Sequence, residues 1–170
     1  MQQKGFTLIE LVVTMVVLVA VSSIAIPAFQ TSIGNAQIRT VAESIRAGLQ
    51  QARAEAIKRN AKVKFTLQTN SAWQIGCVTV TTDCPTLITQ KKAVEGSSAN
   101  TTVSADNNTA VFGSFGTRDP ATPVALTVVN VTNSQVNSTE RKALRVILGA
   151  GGNVKVCDPS VTVEGDSRAC

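Results

Sequence analysis

Hydrophobic positions change rhythm twice along this chain. From Phe6 to Ile26 they are nearly continuous, through Leu8, Ile9, Leu11, Val12, Val13, Met15, Val16, Val17, Leu18, Val19, Val21 and Ile24, and no formal charge falls between Glu10 and Arg39. An uncharged run of that length suffices for a bilayer-crossing helix, which needs about 20 residues. Past Pro27 the apolar residues thin to every third or fourth position, at Ile38, Val41, Ala42, Ile45, Leu49, Ala52 and Ala56. That is the helical period with one apolar stripe, expected to pack on a sheet. The other side carries Arg39, Glu43, Arg46, Gln50 and Arg53, spaced for i,i+4 and i,i+3 ion pairs, and reads as a solvated face. Pro27 removes one backbone hydrogen bond from the apolar part, enough to kink or locally melt it.

The helix is expected to end near Asn60, where the pattern turns to alternation at Val63, Phe65 and Leu67. Period two with β-branched and aromatic residues predicts a strand there, and further strands over 73–80, 110–115, 124–131, 144–148 and 154–157. Gly149, Ala150, Gly151, Gly152 and Asn153 suit a hairpin turn, because glycine reaches positive φ without steric cost. The Ser-, Asn- and Thr-rich segments 93–108 and 133–139 read as surface loops. The fold class is α+β: a long N-terminal helix, membrane-spanning in its first half and amphipathic in its second, packed on a C-terminal antiparallel β-sheet domain.

Composition narrows the chemistry. The chain has no histidine and no tyrosine, so the commonest general base and metal ligand are missing. No nucleophile and base are paired, no cysteine spacing matches a zinc set, and Asp106, Asp119, Asp158 and Asp166 are scattered through turns as solvated residues. The chain is therefore expected not to be an enzyme, with no cofactor and no metal. Its formal charge of +5 suits solubility and permits contact with anionic surfaces. Four cysteines, Cys77, Cys84, Cys157 and Cys170, allow three pairings, and nearest neighbours in sequence give Cys77 with Cys84 and Cys157 with Cys170. Pairing implies an oxidising compartment.

At the N-terminus, Lys4 on the short side of the apolar run places that end in the cytoplasm and the C-terminal part across the membrane. A secretory signal would have its small-residue cleavage site after the apolar core. Here Gly5 precedes it, so cleavage at that point leaves the helix on the mature chain. Glu10 is the anomaly, since a carboxylate within a spanning helix costs about 2.5 to 3.5 kcal/mol on insertion scales and marks function by default.

Lys4-Gly5-Phe6-Thr7-Leu8-Ile9-Glu10-Leu11 resembles the class III leader and N-methylation site of type IV pilins and type II secretion pseudopilins. The resemblance implies that a prepilin peptidase cuts after Gly5 and methylates the new amino group of Phe6. It also implies that Glu10 attracts the N-terminal amine of a neighbouring subunit during polymerisation, an ion pair strengthened by low dielectric and partly offset by desolvation. The segment from Gln51 to Asn60, with Trp73 early in the sheet, resembles the GspH/FimT (FimT/FimU-like) minor pilin branch. On this reading residues 1–5 are the leader, 6–29 the transmembrane and polymerisation helix, 30–60 its amphipathic half and 61–170 a periplasmic β-rich domain. The partners implied are other pilins or pseudopilins, the prepilin peptidase and the bacterial inner membrane.

Three functions compete within that branch. A minor pilin that enters or primes a type IV pilus ranks first, favoured by the cysteine-closed end. A second reading is capture of double-stranded DNA in natural transformation. Relatives that do so carry a Gly-Arg-x-Arg pattern where this chain has Gly152-Asn153-Val154-Lys155, and asparagine supplies none of the bidentate phosphate contacts of arginine. Lys155, Arg168, Arg141, Lys142 and Arg145 remain as a candidate basic patch. The third reading is a type II secretion pseudopilin, which shares the leader and helix.

Overall fold

The computed structural model describes residues 7–93, 100–122 and 124–170, together with the backbone but not the side chain of Ile24. Gly5, Phe6 and the rest of the expected leader lie outside the described residues.

Helix α1 runs from Leu8 to Arg59 as a single element. Thr7 caps its start, the hydroxyl accepting from the Glu10 amide at 3.4 Å. Asn60 ends it in the left-handed region at φ 49°, its N–H turned back to the carbonyls of Ala56 and Ile57. The helix passes through Pro27 without a break, so the missing N–H removes one bond but does not melt the helix locally.

Among the described residues eight strands follow: β1 Val63–Leu67, β2 Trp73–Cys77, β3 Thr89–Lys91, β4 Thr101–Ala105, β5 Thr109–Phe112, β6 Val128–Asn133, β7 Leu144–Leu148 and β8 Val154–Cys157. They form two four-stranded sheets rather than one, ordered β3-β2-β1-β5 and β4-β6-β7-β8, with every pairing antiparallel. Both sheets contact α1. The seven stripe residues of the helix, from Ile38 to Ala56, are fully buried, against Val63, Phe65, Ile75 and Phe112 of the first sheet and Val129, Val131, Val146 and Leu148 of the second.

Several expected boundaries move. The segment read as a loop over 93–108 contains β4, whose Thr101, Val103 and Ala105 turn inward while Thr102 and Ser104 face solvent. Its Ser/Thr-rich composition masks an alternation that becomes decisive once β6 lies alongside, with Val103 opposite Val131. β3, polar and three residues long, falls in none of the expected strands. The strand expected over 73–80 stops at Cys77, where the Cys77–Cys84 disulfide turns the chain back. The one expected over 124–131 starts only at Val128, and the one over 110–115 ends at Phe112. Asn133, assigned to a loop, closes β6 with its side chain buried, donating to Gln37 Oε1 at 3.0 Å and accepting from the Gln135 amide at 2.9 Å.

Asp106, read as a solvated turn residue, ties β4 and β5 to β6. Its carboxylate accepts from the Thr127 hydroxyl, from the amides of Thr127 and Val128 at 2.9 and 3.1 Å, and from the Asn107 amide at 2.8 Å. Desolvation pushes its pKa up, but these donors outweigh that and hold it below the ordinary value of 3.8. A folded pKa below the unfolded one adds stability above that ordinary value, lost as pH falls through the folded pKa. Replacing Asp106 by Asn is therefore expected to lower the thermal midpoint at neutral pH and to narrow its difference from wild type on acidification to about pH 2. A constant difference across that range would exclude ionisation as the source.

Candidate assembly helix and basic groove

Among the described residues the first half of α1 has nothing to pack on. From Leu8 to Phe29 its large apolar side chains, apart from the undescribed Ile24, stand exposed, and none of its most apolar window is buried. At 1.5 Å per residue these 22 positions extend about 33 Å, close to the hydrocarbon thickness of a bilayer. Glu10 sits in the first turn of this helix, where the backbone dipole favours negative charge. Thr14 and Ser23 return their hydroxyls to the carbonyls of Leu11 and Ala20, so their polar groups are satisfied within the helix. The segment is thus an apolar rod with a single acidic group near its end.

Where the rod enters the domain, the connection after β6 braces it. Asn35 Nδ2 donates to the Glu140 carbonyl at 3.0 Å and Asn35 Oδ1 accepts from the Lys142 amide at 2.9 Å, while the Thr31 hydroxyl donates to the Glu140 carboxylate at 3.1 Å. Gly34 makes that approach feasible, since a Cβ there would lie 2.3 Å from a methyl of Val136.

The basic residues singled out in the sequence separate. Lys142, Lys155 and Arg168 line one groove of about 590 Å³ between α1, β8 and the C-terminal tail. Arg141 and Arg145 do not line it: Arg141 donates to the Asn133 carbonyl at 3.3 Å, and Arg145 Nε to Asn130 Oδ1 at 2.8 Å across β6 and β7. The groove instead recruits Arg39 and Arg46 from the helix face read as merely solvated. Their spacing held the signal, because Asn35, Arg39, Glu43 and Arg46 follow one another at i, i+4, i+8 and i+11 down a single side of α1. What brings that side against β8 is tertiary packing.

Two of these cations are committed within the chain. Lys155 Nζ donates to the Ala169 carbonyl at 2.7 Å, and Arg168 forks onto Asp166 at 3.1 and 2.7 Å. That arginine holds the Asp166 carboxyl down to about 2. Arg46 pairs with Glu43 at 3.2 Å while its Nε is buried with no hydrogen-bond partner among the described residues. Arg39 and the Lys142 ammonium have no ion-pair partner among the described residues. The two disulfides join Cys77 to Cys84 and Cys157 to Cys170, the second fixing the tail beside β8 with Cα atoms 5.1 Å apart. Among the described residues no cluster of His, Cys, Asp or Glu has the makings of a metal site.

A family model for the type II transport protein GspH matches residues 41–152, which take in the last part of α1, the whole of the first sheet and all of the second but β8. The chain belongs to the GspH family. A second model, the prokaryotic N-terminal methylation motif, matches residues 1–26 of this GspH-family chain. Its fold is that of the Pseudomonas aeruginosa type IV minor pilin FimU. One crystal form of FimU aligns with TM-score 0.54 at 16% identity over 75% of this chain and 92% of that one. A second crystal form gives 0.51 at 16% identity over 74% and 97%. No curated protein matches the chain significantly in sequence. GspH-family chains of this pilin fold are structural proteins, not enzymes, and the methylation motif with the apolar helix fits anchoring in a membrane.

Proposed function

We propose that this chain is a minor subunit of a type IV pilus, processed after Gly5, methylated on Phe6 and held in the inner membrane with its β domain in the periplasm until it enters the fibre. The observation that carries this is the split character of α1: one continuous helix whose second half is buried in its own domain while its first half exposes apolar side chains throughout. In a membrane that half is solvated by lipid. Withdrawn from lipid, it has only the corresponding helices of other subunits to bury it, so the same surface serves anchoring and assembly. Glu10 gives the otherwise featureless rod a register, through the amine that cleavage creates on the neighbouring subunit. The two disulfides favour an oxidising compartment for the β domain.

Assignment to a pilus rather than a secretion pseudopilus draws on the disulfide-closed C-terminal end and the FimU-like fold. Deletion of the gene is expected to lower the number of surface pili several-fold while leaving type II secretion unchanged, with the epitope-tagged chain recovered in sheared pili. Normal piliation with a secretion defect would transfer the chain to the pseudopilus.

A further inference from the structure

We infer that the groove beside β8 receives an extended, acidic segment of another protein, which adds to the free edge of β8 as an additional strand. The inference stands whichever fibre the chain enters.

Among the described residues strand β8 is the last in its sheet and pairs on one side only, with β7. The outward groups follow from the hairpin. The Gly149 amide donates to the Asn153 carbonyl at 2.9 Å, so in an antiparallel ladder the next residues bonded to β7 are Lys155 and Cys157. The N–H and C=O groups of Val154 and Val156 therefore point to the open edge, and both residues line the groove. Asp158 is the next residue of that parity, and its amide does bond outward, to the Arg168 carbonyl at 2.7 Å. Asp158 and Ala169 form a parallel bridge there. The chain's own tail thus already augments this edge at its far end and leaves the four-residue length of β8 open, about 13 Å in strand geometry. An exposed edge of this kind is a template for an added strand, whose main-chain bonds supply affinity while flanking side chains supply specificity.

The flanking side chains select for negative charge. Five cations line the groove against two acids, Glu43 and Asp158. Arg46 and Glu43 offset each other and Arg168 is paired with Asp166, whereas Arg39 and Lys142 line the groove with no ion-pair partner among the described residues. A guest strand carrying carboxylates at alternate positions would direct them to the wall where Arg39 and Lys142 stand, with its backbone against Val154 and Val156. DNA would use the same cations but would have no use for the unpaired strand edge.

The test uses the full chain in detergent micelles and a fluorescein-labelled heptapeptide alternating glutamate with valine and threonine, compared with its glutamine counterpart and with a labelled DNA duplex. The acidic peptide is expected to bind at least about tenfold more tightly than the glutamine peptide. It is also expected to slow hydrogen exchange at the Val154 and Val156 amides. Val156→Pro removes an outward N–H that the β7 ladder does not use and is expected to abolish binding. Arg39→Gln, on a solvent-facing helix position, is expected to weaken it at least about threefold, and it serves if the proline variant fails to fold. Equal affinity for the two peptides, or binding without protection of the two valine amides, overturns the proposal. So does retention of DNA but neither peptide, which would make the groove a nucleic-acid face. Self-association that Val156→Pro dissolves, with no peptide bound, would replace the acidic guest by a second copy of this chain.

Discussion

Gly48→Leu is expected to destabilise the domain by about 3 kcal/mol or more, at the upper end of what overpacking a core produces. Gly48 lies on the buried face of α1 where the helix crosses the first sheet. A Cβ at that position would fall 2.8 Å from Phe65 and 2.9 Å from the indole of Trp73. The two rings lie 5.8 Å apart, and neither is free to retreat. Phe65 is fully buried among strands, and Trp73 is held by its Nε1 donating to the Ser44 hydroxyl at 3.1 Å. A leucine must therefore lift the helix from the sheet and expose the stripe on both sides of residue 48. Loss of about 1 kcal/mol of glycine's helix penalty works in the opposite direction and is too small to compensate. Trp73 is the sole tryptophan and sits at the contact, so its fluorescence during denaturant unfolding reports the effect directly. Gly151→Ala is the control, because the nearest atom to a Cβ there is 3.8 Å away and the change should stay within about 0.5 kcal/mol. A Gly48→Leu protein as stable as wild type would mean that the helix does not seat on these rings.

Glu10→Ala is expected to leave the β domain folded and the chain in the membrane, yet to reduce its recovery in sheared fibres at least about tenfold, the factor set by roughly 1.4 kcal/mol of lost pairing. Residence in lipid should improve, since removing a carboxylate from a spanning helix saves about 2.5 to 3.5 kcal/mol on insertion scales. Membrane retention and fibre entry are thus expected to move in opposite directions, which a folding defect would not produce. The ratio of tagged chain in the membrane fraction to that in the fibre fraction measures both. Glu10→Gln keeps the shape and removes the charge, so it should behave like the alanine variant. Incorporation of either variant at the wild-type level would sink the charge-pairing role of Glu10.

The helix was legible because its determinants are local. Stripe residues from Ile38 to Ala56 repeat with the period of the helix itself, and Asn60 is a residue type that tolerates the left-handed turn ending it. β1, β7 and β8 were legible for the same reason, as short runs dense in β-branched and apolar side chains. The polar strands β3 and β4 were not, since Thr, Gln, Lys and Ser become strand residues only when a neighbour supplies the ladder. The division into two sheets was equally hidden, because sequence patterns give the faces of strands but not their partners.

Within the candidate sites the same division holds. The apolar run, the placement of Glu10 and the cysteine spacing are properties of adjacent residues, and sequence alone carried them. The groove was decided by tertiary structure. It joins Arg39 and Arg46 to Lys142, Lys155 and Arg168 across more than a hundred residues of chain, and it turns Arg141 and Arg145 aside into bonds with Asn133 and Asn130. A charge declares its sign in the sequence, but which other charges it faces depends on how the helix and sheet edge are brought together, and only burial of the apolar stripe sets that.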